Sequence, residues 1–598
     1  MSERDLILYG TEEEVPPLRI MGCGPLGFAL SGGNVRDITW GGMEVLRAIS
    51  FVVRDSRWGT YAPPISDLEI SEAPDRLSVS YGAAVDGAEG DFAWRATISA
   101  TADGSLSFEA RGGSRRGFTT NRTGFVVLHP LAGVAGRPVE VLHTDGSRET
   151  ASFPELVDPS QPIFDIRTLT HSPVPGLTVA VTMEGEAYEM EDQRNWTDAS
   201  YKTYVRPLAK GYPYAIAAGE AVEQRITLKI TGAVPAVRGT AARTGGLNFA
   251  PAGKMPEIGL ALTSWSDAAP VVTSYLVGRI DLRAGPSDLP AGRETPVDLD
   301  VIIPGRDPDQ ELARLAHLAS MPRRVLVVPA RDMVSRPPGE VPAGEADGEA
   351  IVAAARRLFP RSMVGGGMLV GFPELNRNRP PAGVDFVAHS TSAIVHAADD
   401  RSVMETLEAL PAVIASARAF AGDIPYRLGP ATIGAPQAFY PAPSAPNPEN
   451  ARKPTADADP RQRGLFAAAF AIGYAAAVAG QVEALTLGAT SGAAGIMGPG
   501  GPYPIATAVK WLAELAGCPF LRATAPAGLA VLAAEHLSGR VVLAANLSAS
   551  PVALDLSGRH EVSVLDAEAL ARGRVARRSE VNGPVTLDAY AICRAVAA

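Results

Sequence analysis

The sequence predicts a multidomain protein that joins all-β to α/β architecture: an N-terminal antiparallel β-sandwich, a central (β/α)8 TIM-like barrel and a small C-terminal β-sandwich. Three observations carry that prediction. Residues 1–245 are patterned with a period of two and contain no long helical period. Residues 250–520 alternate short apolar runs with Ala- and Leu-rich helical segments. Residues 521–598 return to short alternating strands separated by turn residues.

In the first region RLSVSYGAAV and DFAWRATISATADGSLSFEARG alternate apolar and polar positions, and the second run breaks at Asp103-Gly104, a hairpin signal. AVEQRITLKITG closes the region with the same alternation. Strands with one apolar face bury it most simply by packing sheet on sheet. In the second region eight runs read as barrel strands: EIGLALTS, YLVGRIDL, PVDLDVII, RRVLVVPA, MLVGFPEL, VDFVAHST, PYRLGPATI and VEALTLGA. Helical patterns follow several of them, as in DQELARLAHLASM, GEAIVAAARRLF, SVMETLEALPAVIASARAFA and ATAVKWLAELAG. The link RAGPSDLPAGRETP between the second and third runs is too rich in Pro and Gly for an ordinary barrel helix. In the third region LAVLAAEHLSGRVVLAANLSA, PVALDLSG, EVSVLDAEAL and PVTLDAYAICRAV supply the strands, with Ser538-Gly539 as a turn.

Composition narrows the function. Over 598 residues, hydrophobic residues are 46 % and charged residues 20 %, globular values. Lys and Arg number 54 against 65 Asp and Glu, a net charge of −11 that gives a nucleic-acid partner no electrostatic help. Cys23, Cys518 and Cys593 are too few and too scattered for a disulfide framework or a zinc cluster. The acidic start MSERDLILYGTEEE lacks an apolar signal core, and the run from Gly464 to Gly480 is mostly Ala and Gly, so it reads as a buried core helix rather than a membrane span. The expectation is a cytoplasmic protein with no cofactor and no membrane or nucleic-acid partner. Oligomeric state is not legible.

Several motifs fail on context. Gly22, Gly24 and Gly27 make a GxGxxG, but Pro25 and a strand-like continuation fit a turn rather than a helix start. His389 and His396, with Asp399 and Asp400 nearby, are spaced poorly for a metal site. Neither GxSxG nor a Walker A sequence occurs. Two motifs survive. GFPELNRNRPP, residues 371 to 381, sits where the fifth candidate strand ends, on the face where barrel loops build active sites. It crowds Glu374, Asn376, Arg377, Asn378 and Arg379 together; rim salt bridges are the structural alternative. EGEAYEMEDQRNWTDASYKTY, residues 184 to 204, mixes Glu191, Asp192, Arg194, Asn195 and Trp196 with tyrosines, fitting either a sugar-binding surface or an interdomain brace. Asp298 and Asp300 share one face of the third strand, as Arg279 and Asp281 share one of the second, and a structural pairing fits them better than a catalytic one.

Together with NRTGFVVLHPLAG (Asn121 to Gly133), VEVLHTDG (Val139 to Gly146) and QPIFDIRTLTH (Gln161 to His171), the two long motifs resemble the D-apionate lactonase family. That family is bacterial and serves catabolism of apiose, a branched plant pentose. The resemblance implies hydrolysis of D-apionolactone to D-apionate on a sandwich, barrel and C-terminal β-domain. The link between the second and third strands and IGAPQAFYPAPSAPNPENARKP depart from the family's pattern.

The resulting expectation is a sugar-lactone hydrolase acting on a small-molecule substrate. Glu374 would serve as general base on water, and Arg377 or Arg379 would hold the oxyanion. Asn376 and Asn378 would orient hydroxyls, and His389 would protonate the leaving alkoxide, with a satisfied core histidine as the alternative reading. Glu191, Asp192, Arg194, Asn195 and Trp196 would add substrate contacts. A glycoside hydrolase acting on apiosyl linkages needs a second carboxylate near Glu374. A non-catalytic carbohydrate-binding relative needs no catalytic group at all.

Overall fold

The computed structural model describes residues 3–15, 18–234, 247–267, 271–284, 295–316, 318, 321–336, 341–437 and 444–597. The chain divides into two compact units: one takes Glu14–Asn195 and Ala199–Gly239, the other Met1–Glu13, Trp196–Asp198 and Thr240–Ala598.

The N-terminal unit is built from a seven-stranded and an eleven-stranded sheet. Strand Gly90–Thr101 shows why: Trp94, Ala96, Ile98 and Ala100 are buried while the residues between them are exposed. It turns at Asp103-Gly104, as expected, with Gly104 at φ +85° and Asp103 Oδ1 accepting the Ser105 N–H at 3.2 Å. Phe51, Phe125 and Val127 from one sheet and Val79, Ile98 and Phe108 from the other fill one core. Phe108 meets Phe125 edge to face at 4.8 Å, a geometry worth about 0.5–1.5 kcal/mol beyond area burial. The GxGxxG glycines lie in an antiparallel hairpin, Arg19–Cys23 with Leu26–Ser31, and Gly24 takes φ +59° in its turn. A strand-to-helix phosphate cradle is therefore absent there.

The second unit contains a closed barrel of eight strands, all paired in parallel. In order they are Glu257–Ala261, Tyr275–Asp281, Val297–Ile303, Arg324–Pro329, Met363–Met368, Phe386–Ser392, Tyr426–Thr432 and Ala484–Ala489. The fifth differs from the expected MLVGFPEL. The strand is Met363–Met368, and Phe372–Arg377 is a short helix with Pro373 in its first turn. Three consecutive glycines hide this strand, because Gly has poor strand propensity. Packing requires them: a Cβ on Gly365 would lie 2.3 Å from the Phe386 ring, and one on Gly367 would lie 1.9 Å from the Ala388 carbonyl oxygen.

Helix Gly348–Leu358 is capped by Asp347, which accepts the Ala350 N–H at 2.9 Å, and buries Ile351, Ala354 and Ala355. Helix Leu465–Val478 is buried nearly all round, as its Ala-rich run predicts. No helix among the described residues is long and apolar enough to cross a membrane. The second-to-third link falls mostly on residues 285–294, outside the described residues. The helix Glu3–Tyr9 was also not expected; it belongs to this unit and sets Tyr9 5.5 Å from Tyr590. Seven residues are too few for a helical period to show, so tertiary contact decides it.

The C-terminal strands form a seven-stranded antiparallel sheet with its own apolar core. One of its strands, Phe249–Lys254, precedes the barrel in sequence and pairs with Pro519–Ala523. The expected turn has Leu537 and Ser538 at its centre, with His536 paired to Gly539. PVALDLSG and EVSVL join into one strand, Val552–Leu565, which bends where its register shifts between Leu556 and Arg559.

Candidate active site

Strand alternation decides which side chains face the inside of the barrel. Leu299, Val301 and Ile303 of the third strand pack against Ile351 and Ala354 of a surrounding helix. Asp298 and Asp300, of opposite parity, therefore point inward, where both are almost wholly buried. The same rule sends Arg279, Arg324 and Arg427 inward, and these charges form one alternating series.

Glu257 Oε2 accepts from Arg324 at 3.0 Å, and Arg324 Nε donates to Asp298 Oδ2 at 2.6 Å. Arg427 Nη1 lies 3.9 Å from Asp298, and its Nη2 donates to Asp300 Oδ1 at 2.5 Å. Arg279 Nη2 stands 3.9 Å from Asp300 Oδ2 and its Nη1 donates to Gln437 at 3.2 Å. Burial pushes the Asp298 carboxyl upward, with Arg324 and Arg427 opposing it. Unpaired, any one of these charges would cost several kcal/mol; in series, each solvates the next.

The series ends in a cavity of about 280 Å³ lined by Arg279, Asp300, Ser390, Ser392, Thr432 and Gln437, among others. Its walls come from the ends of several strands and the residues after them, the usual catalytic face of such a barrel. Asp300 Oδ2 is buried and accepts no hydrogen bond. A guanidinium, an open carboxylate oxygen and several hydroxyls thus meet over an otherwise apolar wall. Such a set can polarise a carbonyl, take a proton from water and orient a polyol. Arg279 and Asp300 were legible in the sequence, but in two separate pairs read as structural, Arg279 with Asp281 and Asp300 with Asp298. The signal is a charge inside an apolar run, since only an inward position in a barrel or a site tolerates one.

The GFPELNRNRPP group lies elsewhere. Glu374 and Asn376 are buried in the short helix Phe372–Arg377. Glu374 Oε2 accepts the Arg336 N–H at 3.3 Å, and its Oε1 lies 3.6 Å from Arg377 Nη1. Burial raises the Glu374 carboxyl above its usual range, with Ser335 and Arg377 partly offsetting that. Arg377, Asn378 and Arg379 line a separate cavity of about 290 Å³ beside Asp332 and Arg336. None of the five lines the Asp300 cavity.

His389 is buried, with both ring nitrogens bonded inside the protein. Ala388 packs inward with Phe386, so His389 faces the helix layer, against the Phe372 ring at 5.3 Å. Its Nδ1 meets the Ser390 carbonyl at 2.9 Å and must carry the hydrogen, so Nε2 accepts from the Tyr426 hydroxyl at 2.5 Å. Burial holds this imidazole down at about 4, hence neutral. His396 bonds Asp198 at 2.6 Å, while Asp399 caps the helix Asp400–Glu405. Among the described residues no three His, Cys, Asp or Glu side chains are grouped to hold a metal.

In the 184–204 segment the side chains expected to contact sugar are largely buried and paired within the protein. Asp192 and Arg194 form a fully buried forked pair, 2.6 Å at its shortest, and Arg194 also donates to the Pro154 and Glu155 carbonyls. Glu191 pairs with Lys202 at 2.5 Å, and Asn195 donates to the Asp158 carbonyl. Trp196 packs in the barrel unit, with the Arg377 guanidinium 5.7 Å from its ring. Asp192, Arg194, Asn195 and Trp196 are buried, and Glu191 is mostly so.

Residues 6–233 match the N-terminal domain of D-apionate lactonase, residues 282–517 its TIM barrel domain, and residues 526–595 its C-terminal immunoglobulin-like domain. A D-apionate lactonase of Brucella anthropi is 40 % identical over 573 residues, spanning 89 % of this chain and 93 % of its own. Among solved structures, a β-arabinopyranosidase is 11 % identical with a TM-score of 0.30, covering 99 % of this chain and 100 % of its own. A GH30 endoxylanase of Clostridium papyrosolvens is 11 % identical with a TM-score of 0.34, covering 59 % of this chain and 97 % of its own.

Proposed function

Because the chain belongs to the D-apionate lactonase family, we propose that it opens D-apionolactone to D-apionate, and that the reaction takes place in the Asp300 cavity. The observation that carries the choice of site is the buried Asp300 Oδ2, free of hydrogen bonds on the cavity wall and 3.9 Å from Arg279. In this reading Asp300 takes a proton from water as the water oxygen attacks the lactone carbonyl. Arg279 stabilises the oxyanion. The tetrahedral intermediate collapses with cleavage of the ring C–O bond, and Asp300 returns the proton to the departing alkoxide. Ser390, Ser392, Thr432 and Gln437, which line the cavity, would orient the substrate hydroxyls. One base and one oxyanion donor suffice, whereas glycosidase chemistry calls for two carboxylates flanking the bond.

A second reading puts the base at Glu374, favoured by its burial-raised carboxyl and by an Oε1 that accepts no hydrogen bond. One experiment separates the two. Hydrolysis of D-apionolactone is followed by pH-stat for the wild type, Asp300→Asn and Glu374→Gln. A general base contributes about 10²- to 10⁴-fold, so the variant that loses that much names the base. No turnover by the wild type overturns the function. Cytoplasmic location belongs to the same proposal, supported by three free cysteines, two of them buried.

A further inference from the structure

We infer that the N-terminal sheet unit carries a second ligand site, a polar cavity built for a small carboxylated polyol of the sugar-acid class. The cavity has a volume of about 400 Å³, and its charged walls are Arg206, Glu186, Glu220 and Glu223, with Tyr214 and Gln224 beside them. Each of the acids already has a partner. Glu186 pairs with Lys210, Glu223 with Arg111 at 2.9 Å, and Glu220 accepts the Ala217 N–H at 2.8 Å.

Arg206 has no carboxylate partner among the described residues. Its guanidinium lies 4.5 Å over the Tyr214 ring and donates once, to the Lys210 carbonyl at 3.2 Å, while its buried Nε donates to nothing. Arg122 immediately precedes the lining residue Thr123. It is 3 % exposed, 3.9 Å from the Tyr204 ring and 5.3 Å from that of Trp58, and its buried Nε also lacks an acceptor. The Tyr214 hydroxyl under Arg206 accepts the Thr123 N–H at 3.0 Å, which ties the cavity wall to the backbone next to Arg122. Trp58 is held over Arg122 at φ +72°, a left-handed conformation that a tryptophan adopts only when its surroundings impose it.

A guanidinium N–H buried without an acceptor is costly, and an anion beside Arg206 recovers that cost. The three wall carboxylates select which anion. A phosphate dianion would face like charges, whereas a single carboxylate can fork onto Arg206 while hydroxyls donate to the acids. The cavity therefore fits one negative charge on a hydroxyl-rich body.

The test is calorimetric titration of the full-length chain carrying Arg279→Gln, which removes the barrel guanidinium. The probes are D-gluconate, inorganic phosphate and neutral D-glucitol. Saturable binding of gluconate alone is expected. Adding Arg206→Gln weakens it by about tenfold or more, and Arg206→Lys restores part of the loss. Arg206 is partly exposed, so these variants are expected to melt with the parent. The proposal is overturned if gluconate gives no saturable heat, if Arg206→Gln leaves its affinity unchanged, or if phosphate or glucitol binds as tightly.

Discussion

The interior of the barrel and the core of the N-terminal sheets solve the same packing problem with opposite materials. Between the sheets, Phe51, Phe108 and Phe125 interlock without a charge among them. Inside the barrel, Glu257, Arg324, Asp298, Arg427, Asp300 and Arg279 run as alternating charges toward a cavity. Apolar packing yields stability from area and shape. A buried charge series yields little net stability, because desolvation consumes most of the Coulomb gain, but it fixes donors and acceptors in place. The contrast assigns stability to the sheets and chemistry to the barrel, and substitutions can break that assignment.

Asp300→Asn carries the largest expected effect: kcat for lactone hydrolysis falls about 10²- to 10⁴-fold. The melting temperature is the control that separates lost chemistry from lost folding. In the sheets, Phe108→Ala should cost about 3–5 kcal/mol of stability by denaturant titration and leave kcat/KM of the folded fraction unchanged. A matching drop in kcat would erase the division of labour. Arg427→Gln tests the series itself. Breaking a buried pair costs about 3–5 kcal/mol, and because Arg427 donates to Asp300 and orients it, kcat of the folded fraction should fall as well. A stability loss with kcat of the folded fraction unchanged would make Arg427 purely structural.

His129 and His171 sharpen the comparison from the other side. Their rings lie 6.1 Å apart in the sheet core, and burial lowers them to about 3 and about 4, well under the usual 6.5 or so. Folding keeps both neutral, so the unfolded chain binds more protons below pH ~6.5 and stability falls as pH drops from there toward ~4. Near pH 5 each should cost about 1.4 kcal/mol per pH unit, and His171→Leu should flatten the slope of stability against pH. Unchanged pH dependence in that variant would place the titrating groups elsewhere. Glu374→Gln has the smallest expected effect, a change in turnover within about tenfold, because Glu374 does not line the Asp300 cavity.

The sequence alone determined the architecture, because period-two alternation, the strand–helix rhythm and turn residues are local signals. RLSVSYGAAV, AVEQRITLKITG and the Asp103-Gly104 turn lie where their patterns put them. The long motifs pointed to the family for a similar reason, since unbroken runs of unusual residues survive reading in one dimension. Tertiary structure decided what no local pattern encodes. The strand Met363–Met368 is invisible to propensity, and its glycines are required because the Phe386 ring and the Ala388 carbonyl leave no room for a Cβ. His389 and Asp300 both sit on barrel strands among apolar neighbours, yet one faces helices and the other a cavity. The decisive quantity there is strand parity around a closed barrel, which sets the partners and solvation of each charge. The conspicuous motif and the candidate catalytic pair came apart for that reason: crowded polar residues announce themselves in sequence, whereas a lone charge gains its role only from what closure brings opposite it.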